Sequence, residues 1–257
     1  MKSILLLLFC FTLVVILLTG CTETTTEPEP QSYPDYYPTS IGSTFKYWVI
    51  ENDSSGNVIQ NGSRDILFSG STVYNGISYT TQDDSLDFGT QSSVSTFLVR
   101  KSETGVFYAV DTSQITQLIP DSLQQYVTLR NEMQLLFYPL TTGSSWSLYR
   151  VTAVLQPGIE IKILDIIANF DGIEQIAINL ISGTIVANAR RVKFTLELYT
   201  EIGSAPETYT AYMWYVQNIG LVKFEGNQFI IDAGGGGITI EPSSNILTQE
   251  LIHYDIK

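Results

Sequence analysis

His253 is the one imidazole among 257 residues, so any serine or cysteine mechanism that needs a histidine base has to use it. It stands in Leu251-Ile252-His253-Tyr254-Asp255-Ile256. Strand alternation through that stretch puts His253 on one face with Leu251 and Asp255. No Gly-x-Ser-x-Gly elbow accompanies it, because Gly143-Ser144-Ser145-Trp146-Ser147 fails at its last position. A solvent-facing or edge-strand histidine is therefore expected, not a catalyst. Asp83, Asp84 and Asp87 supply carboxylates, but their spacing fits no calcium loop, which needs six to eight oxygen ligands. A solvated acidic loop is expected there, and a polar turn over residues 52–57. An acid/base hydrolase would use paired carboxylates such as Asp165 and Asp171, since two carboxyls roughly 5 to 9 Å apart can run glycoside chemistry. Gly234 to Gly237 precede no helix with Lys and Ser or Thr, so a flexible hairpin tip is expected there and not a phosphate loop.

The wider composition narrows the chemistry further. One His and two Cys build neither a multi-histidine nor a four-cysteine metal site, and a formal charge of -13 repels nucleic acid. No catalytic residue, no metal site and no cofactor is expected, and the sequence leaves the ligand-binding residues unidentified.

The elements that would carry these residues read as strands. From Ser43 onward, short runs rich in Val, Ile, Thr, Tyr and Phe are broken every eight to twelve residues by Gly, Asn, Asp or Pro. Strands are expected over residues 44–51, 94–101, 105–111, 159–170, 173–180, 184–200, 207–217, 220–225 and 246–256. Asn75-Gly76, Ser102-Glu103-Thr104 and Asp171-Gly172 mark turns or breaks. The one helix signal is residues 120–134, where Leu123, Tyr126, Val127 and Met133 follow a Pro-Asp-Ser start. The expected class is all-β and antiparallel, as curved sheets or a barrel, with little helix.

The chain also echoes itself. Tyr37-Pro38-Thr39-Ser40-Ile41-Gly42-Ser43-Thr44-Phe45 recurs as Tyr138-Pro139-Leu140-Thr141-Thr142-Gly143-Ser144-Ser145-Trp146, with four of nine positions identical. A looser echo sets Phe97-Leu98-Val99 and Gly105 against Trp214-Tyr215-Val216 and Gly220. Either turn chemistry converged twice or two related units exist, over about residues 37–111 and 137–257.

The N-terminal forty residues concern address, not chemistry. Lys2 precedes residues 4–18, in which fourteen of fifteen side chains are apolar. That run is short for a spanning helix and ends in small residues, as a signal peptide does. Leu18-Thr19-Gly20-Cys21 resembles the lipobox of bacterial lipoproteins. The resemblance implies cleavage before Cys21, lipidation of Cys21, and a mature chain of 237 residues anchored by acyl chains. Each buried methylene contributes roughly 0.8 kcal/mol, so two or more chains give stable anchoring. Cys10 leaves with the signal and Cys21 is consumed, so no free thiol remains. Residues 21–36, acidic and rich in Thr and Pro, read as a tether, with the β-rich domain at 37–257. Thr22 behind the cysteine favours the outer membrane, by resemblance to lipoprotein sorting.

Phe137-Tyr138-Pro139-Leu140 with Gly143-Ser144-Ser145-Trp146, then Ser182-Gly183-Thr184, then Trp214-Tyr215-Val216 with Ile219-Gly220-Leu221-Val222-Lys223, resembles β-rich domains of TapB-like bacterial lipoproteins. The resemblance covers about half the mature chain and transfers no catalytic residue. Together these features imply a non-enzymatic envelope lipoprotein that contacts the membrane through its acyl chains and binds a hydrophobic, glycan or protein partner. The alternatives are a carboxylate-based envelope hydrolase and a purely structural surface-assembly protein.

Overall fold

The structure, a computed structural model, describes residues 33–116, 119–199, 204–227 and 245–257. Cys21 and Gly234 to Gly237 lie outside the described residues. Among the described residues twelve strands follow one another: β1 Thr44–Asn52, β2 Val58–Tyr74, β3 Ile77–Asp87, β4 Ser92–Ser102, β5 Gly105–Ala109, β6 Glu132–Phe137, β7 Ser145–Gln156, β8 Ile159–Leu180, β9 Gly183–Leu198, β10 Glu207–Val216, β11 Gly220–Asn227 and β12 Ile246–Asp255. They form one antiparallel sheet in the order β6-β5-β4-β3-β2-β1-β12-β11-β10-β9-β8-β7. Each strand except β6 pairs with its successor, and β1 pairs with β12 along its whole length. The result is a nearly closed up-and-down barrel made of two six-strand meanders.

Alternation decides which residues fill it. Along β1, Phe45, Tyr47 and Val49 point inward, while Lys46, Trp48 and Ile50 point out. The interior carries Val49, Val192, Phe194, Leu196 and Phe224, each fully buried. Burial of each such side chain contributes roughly 1.5–3 kcal/mol, so the filled interior holds the fold together.

The two echoed segments adopt the same turn. Gly42 and Gly143 take φ of 90° and 86°, which glycine adopts freely. Ser43 N–H bonds to Ser40 O at 3.0 Å, and Ser144 N–H to Thr141 O at 2.9 Å. Ser43 O accepts from Phe68 N at 3.0 Å, and Ser144 O from Phe170 N at 2.9 Å. Immediately beyond those phenylalanines each meander slips register, between Phe68 and Gly70 and between Phe170 and Gly172. The looser echo is displaced by one residue. Phe97 lies opposite Gln82 and Met213 opposite Val192, so Met213, and not Trp214, takes the place of Phe97.

The bulge at Asp171 replaces the expected break. Residues 159–180 form the single strand β8, whose far part pairs only with β9. This projecting hairpin lies over the outer face of β10 to β12 as a strap. Ile181 N–H bonds to Ile252 O at 2.8 Å, and Trp214 Nε1 donates to Glu174 Oε2 at 3.0 Å. Ile178 on the strap and Trp214 beneath Glu174 are both buried.

The ring is not laddered between β6 and β7. Side chains bridge that seam instead: Trp146 Nε1 donates to Gln134 O at 3.0 Å and Tyr149 Oη to Arg130 O at 2.7 Å. A single bridge, Val127 to Ala153, adds to them.

Of the helix expected over residues 120–134 only the first turn forms, from Asp121 to Gln124, and the rest is not helical. Two short helices stand between β5 and β6, α1 Thr112–Thr116 and α2 Asp121–Gln124. Met133 belongs to β6, fully buried. Tertiary pairing with β5 overrides the local spacing, as it does when a short apolar run fits both periods.

Candidate functional site

The inward-facing rows of β2, β3 and β12 carry polar groups where the barrel elsewhere carries hydrocarbon. Arg64 is in phase with Ile66 and Phe68, and Asp84 with Gln82. Arg64 Nε donates to both Asp84 oxygens at 2.9 Å, and its Nη2 also donates to Oδ2. Its Nη1 donates to Gln249 Oε1 at 3.0 Å. Such a two-pronged, charge-assisted pair is strong once formed, yet taking both charges out of water costs several kcal/mol per ion. A second group adjoins it. Gln82 Oε1 accepts from Tyr108 Oη at 2.8 Å and from Tyr37 Oη at 3.1 Å, and the two hydroxyls also touch.

The other meander shows that the fold does not require this polarity. Phe45 pairs with Ile66 and Ile66 with Asp84; Trp146 pairs with Ala168 and Ala168 with Phe194. By that register Arg64, Gln82 and Asp84 correspond to Ile166, Val192 and Phe194. All three of the latter are buried hydrocarbon. One wall of the barrel is thus polar by specification of its own sequence.

Residues 33–38 close the barrel mouth next to this wall. Asp35 O accepts from Asn218 N at 2.6 Å, and its carboxylate meets Lys101 Nζ at 2.8 Å. Tyr36 is buried under the Arg190 guanidinium, which lies 5.2 Å from its ring centre and bonds its hydroxyl. Tyr37 enters the interior between Phe68 and Tyr108, with ring centres 6.3 Å from each and edge-on geometry. Burial pushes its hydroxyl up to about 12. Two cavities of about 40 Å³ each flank it, both lined by Tyr37, Arg64 and Leu221. Each has room for a water or two. Neither approaches the roughly 300 Å³ at which small-molecule pockets begin.

The residues singled out by sequence lie elsewhere and do not converge. His253 does not share a face with Leu251. Register slips between Lys46 and Tyr47, leaving Ile252 unpaired, so Leu251 faces the interior while His253 and Asp255 face out. His253 borders an open outer depression of about 320 Å³, lined also by Lys46, Asp65, Asp83 and Ser85. Lys46 and Asp65 already pair there at 3.1 Å. Asp83 and Asp84 point to opposite faces: Asp84 goes to Arg64, and Asp83 accepts from Thr96 Oγ1 at 2.9 Å. Asp87 caps the following turn through Gly89 N. Those three aspartates therefore form no loop of ligands, and no group of three potential metal ligands occurs among the described residues. Asp53 organises the turn at residues 52–57 by accepting from Ser55 N and Asn57 N, both at 2.9 Å.

Asp165 and Asp171 are not a catalytic pair. Six residues apart on one strand, they are separated by about 20 Å at the usual rise per residue. Each carboxylate also has its own cation. Asp165, fully buried on the outer face, meets Arg150 at 2.8 Å and Lys162 at 3.2 Å. Asp171 meets Arg191 at 2.8 Å.

Arg64, Gln82, Gln249 and Tyr37 are not marked as site residues by the sequence. A signal for two of the four is nevertheless present in it: polar residues at core-phase positions on each of two strands, Arg64 two residues before Ile66 and Gln82 two before Asp84. Their meeting depends on the β2–β3 register, which the bulge beyond Phe68 shifts.

Comparison with known proteins gives limited context. No protein-family model matches the chain, and no curated protein matches it either. Among solved structures, the chain is similar to a candidate lipoprotein of Parabacteroides distasonis ATCC 8503, at 14% identity and a TM-score of 0.48, over 88% of this chain and 100% of that one. It is also similar to a candidate exported protein with a YmcC-like fold from Bacteroides fragilis NCTC 9343, at 11% identity and a TM-score of 0.47, over 86% and 99% respectively.

Proposed function

We propose that this chain is a lipid-anchored, non-enzymatic binding protein of the bacterial cell envelope, held through Cys21 in the outer membrane, with the mouth of its barrel as the binding region. The observation that carries the binding reading is the Arg64–Asp84–Gln82 wall, set where the matching half of the barrel holds Ile166, Phe194 and Val192. A buried ion pair contributes little net stability, so its presence speaks for recognition rather than for folding. The lipobox-like Leu18-Thr19-Gly20-Cys21 supports the anchoring. The separation of Asp165 from Asp171 supports a non-enzymatic role.

The test uses the full chain expressed in a diderm bacterium. Wild type is expected in the outer-membrane fraction with an acylated N-terminal peptide by mass spectrometry, and Cys21→Ser in the soluble periplasmic fraction. Identical fractionation of the two sinks the anchoring. For the binding region, native mass spectrometry of the detergent-extracted protein is expected to show a co-purified small ligand that Arg64→Ile with Asp84→Phe removes. A ligand retained by that double variant moves the site elsewhere.

A further inference from the structure

Tyr37 stands apart from the other residues around the two interior cavities. Of the three that line both, Arg64 and Leu221 belong to strands, whereas Tyr37 precedes β1 and comes in from the mouth. Its hydroxyl finds a ready acceptor in Gln82 Oε1, on the wall whose counterpart in the other half is Val192. The contacts made by Tyr37 are those a bound ring would make: edge contacts to Phe68 and Tyr108, and one polar anchor at the far end.

The segment that carries Tyr37 lies outside the strand ladder, with Tyr36 and Pro38 buried and the Tyr33 and Tyr36 rings on Tyr138. Pro34 and Pro38 bracket it and lack the N–H a ladder needs, so it cannot join the sheet as a central strand. Its ties include the Asn218 N–H to Asp35 O, the half-exposed Lys101–Asp35 pair and Arg190 on Tyr36. An ion pair of that exposure adds at most about 1 kcal/mol. A segment outside the ladder can open without the strands parting, below the free energy of global unfolding.

We infer that residues 33–38 are a plug and that Tyr37 is the built-in occupant of a binding site for a hydroxyl-bearing aromatic ring, which enters between Phe68 and Tyr108 and anchors on Gln82 when the plug swings out. This rests on the barrel mouth being the binding region. The ligand's hydroxyl donates to Gln82 Oε1 as the Tyr37 hydroxyl does, and its flat ring takes the space between the aromatic edges. Arg64, already neutralised by Asp84, sets no demand for an anion.

Hydrogen exchange on the full-length wild-type protein tests this, with p-cresol as the probe and toluene as its hydroxyl-free control. The Asn218 amide is expected to exchange at least tenfold faster than the β1 amides. Saturating p-cresol is expected to speed Asn218 exchange a further several-fold while β1 is unchanged, because a ligand of the open state draws the plug out. Toluene is expected to do neither. Asn218 exchanging at the rate of β1 would show that the plug leaves only on global unfolding and would overturn the proposal. Equal effects of p-cresol and toluene would reduce the site to a greasy cavity and overturn the ligand class, as would no effect of p-cresol. As a second arm, Tyr37→Ala, checked for unchanged β1 protection, is expected to bind p-cresol at least tenfold more tightly than toluene, and Gln82→Leu added to it is expected to erase that ratio. Failure of lipidation at Cys21 leaves all these readouts intact, so the two readings fail separately.

Discussion

Asp84 takes both prongs of the Arg64 guanidinium inside the barrel, from the neighbouring strand and 20 residues further along the chain. Removing one partner leaves the other charge buried and unpaired, which costs about 3–5 kcal/mol. Arg64→Leu or Asp84→Leu alone should therefore lower the unfolding free energy by that amount in a urea titration. Arg64→Ile with Asp84→Phe copies the hydrocarbon of the other meander. The double variant should be more stable than either single one, even though leaving the Gln249 amide oxygen without its Arg64 donor costs about 1–3 kcal/mol. A double variant weaker than both singles would contradict the correspondence between the two halves.

Alkaline stability follows from the buried phenols. Burial raises the Tyr37 and Tyr149 hydroxyls to about 12, against about 10 in an unfolded chain. A group that holds its proton more tightly when folded stabilises fully below the unfolded value. That contribution fades as pH climbs from about 10 to about 12. Absorbance at 295 nm should show the exposed tyrosines ionising first and the buried ones together with loss of structure. Tyrosines that all ionise near pH 10 with the fold intact would contradict the burial.

The strap gives a spectroscopic handle. Trp214 lies on the outer face of β10, where Glu174 of the strap takes its indole N–H and Lys223 Nζ stands 4.8 Å from its ring centre. Ile178→Ala should cost about 2–4 kcal/mol if the strap packs as a core element. Glu174→Ala should shift the tryptophan emission to the red as the indole N–H meets water. An unchanged spectrum would mean that the strap does not shield Trp214.

At the seam, side chains do the work of a ladder. Trp146→Phe removes one hydrogen bond to Gln134 O and should cost about 1 kcal/mol beyond the change in packing. Adding Tyr149→Phe strips the second bridge to Arg130 O and leaves two strand edges open to other chains. Size-exclusion chromatography should show concentration-dependent dimers for the double variant only.

The strand pattern is legible in the sequence because its causes are local. Alternating β-branched and aromatic residues mark the strands, and Asn75-Gly76, with positive φ at both, marks the β2–β3 turn. The echo at residues 37 and 138 is legible for the same reason, since Gly42 and Gly143 punctuate matching turns. What stays hidden is set by pairing across the sheet. Ile252 bulges, which turns His253 away from the side of Leu251, and no feature of the six residues around it announces that slip. The approach of Arg64 to Asp84, and of Tyr37 to Gln82 across 45 residues, likewise depends on register and on a segment that leaves the strand pattern.

The pairing of β1 with β12 governs when the molecule can exist at all. The ring shuts only when its first strand meets its last, so the chain must be synthesised through β12 before the interior is sealed. Contacts of such long sequence separation form late and slowly. A polypeptide whose closure waits for β12 stays threadable until then, a delay compatible with the export proposed for this chain.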